Sequence, residues 1–472
     1  MTYTIETALA ALADGRTTSE ELTKQVQRNA DQLDGALGVF LSRFDDQAME
    51  AARQSDARRA SGAPLGPLDG IPIGIKDIIT TVEGPSTCQS LVFDSSSMSG
   101  DAPVVARLRA AGAVIVGKTS TMEFAIGTPD EEKPFPIPRN PWDTATWTGG
   151  SSSGTGGGVA SEMMLGGLGT DTGGSIRIPA ANCGITGLKA TFGRVPKSGC
   201  APLGFSLDHI GPMARSAYDC AAMLEVMAGP SPDDPNTADV PVDSYTAALT
   251  GSLDGVKVGV DRLERLYIDA SEGESLAASF DAMEAALTAR GATVVPVELP
   301  YYDAVATASM MLMVVEGFTY HAADFRTRWE DYSGGLRDCL GMATLYSSSD
   351  VVQAQRIRRL GVKAVDALLH EVDVIVTPTT SGGAMTFAQV ADMWNSDGRL
   401  NLTGYWNGTG SPTLALPFGF TPSGLPLGAS ITGAAFDEAT VLRVGHAFQQ
   451  ETDHHLRRAP LLERAIAGSV VA

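Results

Sequence analysis

The chain has 472 residues, of which 43% are hydrophobic and 19% charged, a composition of one large or two to three ordinary globular domains and not of a disordered chain. A formal net charge of −21 speaks for a solvated acidic surface and against a nucleic-acid partner, because neutralising phosphates needs a surplus of cations. No apolar run reaches the ~20 residues of a membrane span, and Met1-Thr2-Tyr3-Thr4-Ile5-Glu6 has neither the basic nor the apolar region of a secretory signal.

Residues 1–60 read as helical, with Thr18 and Glu21 placed as a capping box ahead of Leu22, Val26 and Leu33. A second helical pattern, Ala48 to Arg59, ends at Ser61-Gly62-Ala63-Pro64. Ile71 to Ile79 is a short strand-like run, and Ala102 to Ala111 a helix stopped by Gly112. Ala113-Val114-Ile115-Val116 reads as a buried strand that Gly117 ends, and Val159 to Leu168 as an apolar, helix-like run. Strands are expected at Val256 to Val260, Thr293 to Val297 and Val372 to Val376, and helices at Ser275 to Arg290 and Val351 to Leu369. Leu414 to Phe418 and Leu427 to Ile431 form a hairpin around Pro422-Ser423-Gly424, and Glu438 to Gln450 is the last helix. Pro230 to Pro241 reads as a surface loop. The alternation predicts an α/β fold, a single large domain with a central mixed, twisted β-sheet covered by helices on both faces. The five cysteines (Cys88, Cys183, Cys200, Cys220 and Cys339) are odd in number and lack a CxxC pair, as expected of reduced thiols in a cytoplasmic protein.

The chemistry concentrates between Gly149 and Pro179. Ser151 and Ser175 each follow a glycine pair. A serine hydroxyl needs a base to become a nucleophile. All six histidines lie downstream of Ser175, and no Gly-x-Ser-x-Gly elbow has a clear histidine partner. Lys76 sits among Ile73, Ile75, Ile78 and Ile79. A lysine buried there loses its proton well below its reference value of ~10.4 and can act as the base. The plainer alternative is a lysine snorkelling from a strand end. Thr172, Gly173, Gly174 and Ser175 offer consecutive unhindered N–H groups, the requirement of an oxyanion hole. Arg177 is placed to brace that loop.

These residues resemble the amidase signature family. The likeness rests on Lys76, on Gly149-Gly150-Ser151-Ser152 and on Asp171-Thr172-Gly173-Gly174-Ser175-Ile176-Arg177-Ile178-Pro179. It continues through Cys183-Gly184-Ile185-Thr186-Gly187-Leu188-Lys189, Asp208-His209-Ile210-Gly211-Pro212 and Asp373-Val374-Ile375-Val376-Thr377-Pro378, covering about residues 65–450. Ser153 and Thr155 stand where the family often has glycine and serine. The resemblance implies the amidase signature fold over residues 1–472, with a signature core at 65–215 and a variable substrate-pocket segment at 300–410. It implies Ser175 as nucleophile, Ser151 as a proton relay held by a cis peptide, and Lys76 as general base. Thr172, Gly173, Gly174 and Ser175 would form the oxyanion hole, with Gly150, Ser152, Asp171 and Arg177 in support. Neither metal nor organic cofactor is expected.

The implied activity is hydrolysis of small-molecule amides, aryl or alkyl, with carbamates (urethanes) as further substrates, through an acyl-enzyme. The pocket is expected to draw on Met310, Met311, Met313, Phe318, Tyr320, Trp329, Tyr332, Met342, Tyr346, Met393, Trp394, Tyr405 and Trp406. Glu316 and His321 fall in a Glu-x-x-x-Tyr-His segment similar to that of several stand-alone amidases of the family. A second reading is the glutaminase component of an aminoacyl-tRNA amidotransferase, which releases ammonia from glutamine, although residues 300–340 lack the Gly-x-Arg-Tyr-Gly-like block expected there. Gly112 to Thr119 matches the P-loop pattern of an NTPase literally, but the intervening residues are an apolar strand run. Oligomeric state is left open by the sequence, dimers being common in the family.

Overall fold

A computed structural model describes residues 3–266, 270–391 and 401–468. Eleven strands among these residues form one sheet: β1 (Phe40–Arg43), β2 (Pro72–Lys76), β3 (Val114–Thr119), β4 (Gly166–Asp171), β5 (Thr186–Lys189), β6 (His209–Ala214), β7 (Lys257–Val260), β8 (Thr293–Pro296), β9 (Val374–Pro378), β10 (Thr413–Phe420) and β11 (Pro426–Gly433). Their spatial order is β1-β3-β2-β4-β6-β5-β10-β11-β9-β7-β8. The sheet is mixed: β3, β2 and β4 run parallel, as do β9, β7 and β8, and the pairs between these groups are antiparallel.

Both faces are covered, as strand periodicity requires. Along β3, Ile115 joins one apolar core while Val114 and Val116 join another, because successive side chains point to opposite faces. The second core is closed by helices Ser19–Leu37, Asp45–Ala60, Ser153–Ala160 and Arg177–Cys183. The first is closed by Pro103–Ala110, Ala217–Met227, Tyr302–His321 and Glu438–Glu451. Thr18 and Glu21 form the expected reciprocal capping box. No described helix is long and apolar enough to cross a membrane.

Several expectations are corrected. Residues 1–60 are not wholly helical, since β1 pairs antiparallel with β3. Gly117 does not end its strand: β3 runs on to Thr119, and a Cβ at Gly117 would stand 2.5 Å from the Ser42 carbonyl oxygen. The glycine admits the neighbouring strand and does not stop its own. The run Val159 to Leu168 is not one helix but the end of Ser153–Ala160, a turn, and the start of β4. Glu438–Glu451 is followed by a further helix, Pro460–Ile466. The P-loop pattern lies in a buried strand, where backbone N–H groups serve the sheet. Lys118 is buried, donates to Ser86 Oγ at 2.7 Å and to the Ile79 carbonyl, and lies 3.7 Å from Asp77. Nothing there is left to cradle a phosphate.

Candidate active site

Strands β2 and β4 lie side by side and parallel, with Ile75 beside Leu168. Their C-terminal ends therefore open on the same edge of the sheet. β2 delivers Lys76; β4 delivers Asp171 and runs straight into residues 172–175 ahead of helix Arg177–Cys183. The third part of the site is the irregular segment 149–152, which enters helix Ser153–Ala160, and its Gly150–Ser151 peptide is cis.

Lys76 is fully buried. Its Nζ lies 2.7 Å from Ser151 Oγ, 3.0 Å from Ser152 Oγ and 2.7 Å from Thr170 Oγ1. Burial pulls this amine down from its ordinary value of 10.5 to about 7, against the opposing pull of Cys200, Asp171 and Asp208. Ser152 is itself held by β4, donating to the Thr170 carbonyl at 3.2 Å and accepting from Thr170 N–H at 3.1 Å. Thr170, which sequence reasoning did not single out, is thus a direct partner of the lysine.

Ser175 is half-buried in the turn. Its carbonyl accepts from Ser152 N–H at 3.1 Å, which ties the two serine segments together. Among the described residues the Ser175 hydroxyl has no hydrogen-bond partner in the protein, Ser151 included; both serines line one cavity of about 210 Å³. A nucleophile and its proton acceptor often come within hydrogen-bond reach only when substrate is bound. The N–H groups of Thr172, Gly173, Gly174 and Ser175 take no acceptor among the described residues. Four adjacent free donors beside a cavity serine are what an oxyanion hole requires.

The turn is braced from beneath. Asp171 and Arg177 are fully buried and share two bonds of 2.9 Å. Burial alone would raise the Asp171 carboxyl, but the Arg177 charge and hydrogen bonds, with Lys189 and Asn407, hold it well below the usual carboxylate range. Asn407 donates to Asp171 at 2.8 Å and accepts from Arg177 at 2.6 Å, while Thr403 Oγ1 donates to the Gly173 carbonyl at 2.6 Å. Gly174 has φ +135°, and a Cβ there would stand 2.1 Å from Thr403 Oγ1. Thr403 and Asn407 carry no local sequence signal, being more than 200 residues from the turn.

Of the apolar residues expected in the pocket, Met310 and Met313 line the cavity. Tyr332, Tyr405 and Trp406 are instead buried core, Trp329 and Tyr346 are exposed, and Met393 and Trp394 lie outside the described residues. Much of the wall comes from residues the sequence reading did not choose: Met122, Ile126, Trp147, Ile178 and Cys339. His321 is a packed side chain, 3.1 Å from Tyr332 Oη and ring to ring with Phe124 at 4.3 Å. No group of three or more His, Cys, Asp or Glu side chains among the described residues is placed to hold a metal ion.

A buried lysine beside a serine, with a second serine lining the same cavity from a glycine turn, is the arrangement expected from the resemblance to the amidase signature family. The Amidase family model matches residues 21–442, and the chain belongs to that family, whose members act on amide C–N bonds. Over 98% of its length it is 40% identical to the A subunit of the glutamyl-tRNA(Gln) amidotransferase of Chloroflexus aggregans, covering 99% of that protein. Among solved structures it resembles the native peptide amidase of Stenotrophomonas maltophilia, with a TM-score of 0.84 and 30% identity over 97% of this chain and 98% of that one. It also resembles the corresponding glutamyl-tRNA(Gln) amidotransferase component of Thermotoga maritima, with a TM-score of 0.79 and 27% identity over 95% of this chain and 94% of that one.

Proposed function

We propose that the protein hydrolyses small amides with apolar flanks, and carbamates of similar shape, through an acyl-enzyme on Ser175. The observation that carries the choice of substrate is the cavity wall: among the described residues it holds Met122, Ile126, Trp147, Met310 and Met313 and no charged side chain. Free glutamine brings a carboxylate and an ammonium group, and burying either without a partner charge is costly.

The contacts of Lys76 accommodate a neutral amine acting as the base. A neutral lysine has two N–H groups and one lone pair. The single proton of Ser152 is committed to the Thr170 carbonyl, so Ser152 accepts from Lys76. Thr170 Oγ1 at 2.7 Å can accept the second N–H, which leaves the lone pair of a neutral Lys76 for the Ser151 hydroxyl at 2.7 Å. In the proposed cycle Ser151 passes its proton to Lys76 and takes one from Ser175, whose Oγ attacks the carbonyl carbon. The developing oxyanion accepts from the N–H groups of residues 172–175. The proton returns from Lys76 through Ser151 to the leaving nitrogen as the C–N bond breaks, and water reverses the relay to release the acid. The five unpaired cysteines support a cytoplasmic location.

A second reading, the glutamine-hydrolysing component of an amidotransferase, is favoured by the names of relatives such as that of Chloroflexus aggregans. Amine or ammonia release from an aryl amide, an alkyl amide, a carbamate, a dicarboxylic monoamide and glutamine separates the two. The proposal expects the highest kcat/KM on an apolar amide by the isolated chain. Glutamine as the preferred substrate, above all only with partner proteins added, would establish the second reading instead.

A further inference from the structure

The free N–H groups of residues 172–175 raise a mechanical question: with no ladder partner, what fixes the orientation of these peptides? The register supplies one answer. Asp171 at the end of β4 pairs with His209 at the start of β6, which sets Asp208 beside Thr172, one step beyond the paired strands. Thr172 Oγ1 donates to Asp208 Oδ1 at 2.6 Å. The same carboxylate accepts from Leu203 N–H at 3.0 Å and Gly204 N–H at 2.9 Å, so loop 203–208 closes on it.

That loop is in turn held by two helices. Glu316 accepts from Ser206 N–H at 2.8 Å and from Ser206 Oγ at 2.7 Å. Arg358 donates to Ser206 Oγ at 3.0 Å, to the Ser206 carbonyl at 2.9 Å and to the Gly408 carbonyl at 2.9 Å. Glu316 belongs to helix Tyr302–His321, which also brings Ser309, Met310 and Met313 to the cavity. Gly408 belongs to helix Gly404–Thr409, whose Asn407 binds Asp171.

We propose that Asp208 is a positioning residue for the oxyanion turn, acting through Thr172, and that Glu316 and Arg358 anchor its loop to the helices of the substrate cavity. The inference rests on the reading of Ser175 as nucleophile and of the turn N–H groups as oxyanion donors. It assigns a role to Glu316, whose two carboxylate oxygens both accept from Ser206. A donor displaced by about 1 Å loses on the order of 10² in rate, so tethers outside the reacting atoms set the catalytic geometry.

The test compares Thr172→Val, which keeps shape and removes the donor, with Thr172→Ser, which keeps the hydroxyl. The probe is a boronic acid matched to the best amide substrate, whose tetrahedral serine adduct places an oxygen in the hole. Thr172→Val is expected to lower kcat/KM and boronate affinity together, by about 10- to 100-fold, with KM changed by no more than about two-fold. Thr172→Ser should restore both, and Glu316→Gln should show a smaller loss with the same selectivity, which keeps the test open if Thr172→Val folds poorly. Unchanged boronate affinity in Thr172→Val, or an equal loss of affinity for a non-reactive substrate analogue, overturns the assignment. Ser175→Ala separates the two layers: turnover surviving in it removes the nucleophile reading and this inference together. An inactive Ser175→Ala beside an unselective Thr172→Val removes the inference alone.

Discussion

Asp171 and Arg177 face each other across the base of the turn that carries Ser175, both without solvent access, joined by two hydrogen bonds of 2.9 Å. The pair also binds Asn407, Ile176 N–H and the Thr403 carbonyl. The pair therefore clips helix Arg177–Cys183 to the end of β4 and to helix Gly404–Thr409 at once.

Removing one partner of such a pair strands a buried charge. Arg177→Met is expected to destabilise the protein by about 3–5 kcal/mol, and Arg177→Lys to recover only part, because a point charge does not span two carboxylate oxygens. Denaturant unfolding of the two variants checks this. A midpoint for Arg177→Met equal to that of the parent would refute the bracing role.

Gly174→Ala should abolish activity, because both torsion and contact oppose a side chain there. Its φ of +135° excludes an L side chain, independently of the 2.1 Å approach to Thr403 Oγ1. Gly174→Ala is therefore expected to be inactive in a steady-state amidase assay. Activity equal to that of the parent would show that the turn admits a side chain at this position.

The rate should depend on pH through Lys76. Burial lowers its amine from 10.5 to about 7, and only the neutral form can accept the serine proton. kcat/KM is expected to be flat above the folded value and to fall by about tenfold per unit below it. Lys189, likewise buried, is also lowered to about 7, so the profile is to be repeated in Lys189→Met, where the acid limb should remain. A profile flat down to about pH 5 would exclude a lysine base.

Met313 borders both the cavity and Gly173, with its sulfur 3.3 Å from the position of a Cβ there. Met313→Ala should enlarge the cavity and shift preference towards bulkier aryl amides. The measure is the ratio of kcat/KM for a naphthyl and a phenyl amide, expected to rise by about tenfold at most. An equal change on both substrates would show that Met313 does not shape specificity.

The strands and helices with strong periodicity were legible in the chain itself: helix Ser19–Leu37 with its capping box, the β10–β11 hairpin and the α/β alternation. Those that escaped had no such pattern. β4, Gly166–Asp171, is half glycine and is a strand because β2 and β6 flank it, a tertiary cause. Trp406 and Tyr405 look like pocket residues by type, yet packing buries both, and the cavity wall is assembled from distant segments instead.

The sequence by itself determined the family of this protein and the chemistry proposed for it. Lys76, Ser151, Ser175 and the glycine turn are local motifs, and their residue types restrict what reaction they can carry. Only the tertiary structure decided how those groups are held and what they face. The desolvation that lowers Lys76 is a sum over the surrounding fold. The parallel register of β2 and β4 brings Lys76 to Thr170, and Asn407, Thr403 and Asp208 reach the turn across long stretches of chain. Such contacts depend on distances in space, which motif spacing does not encode.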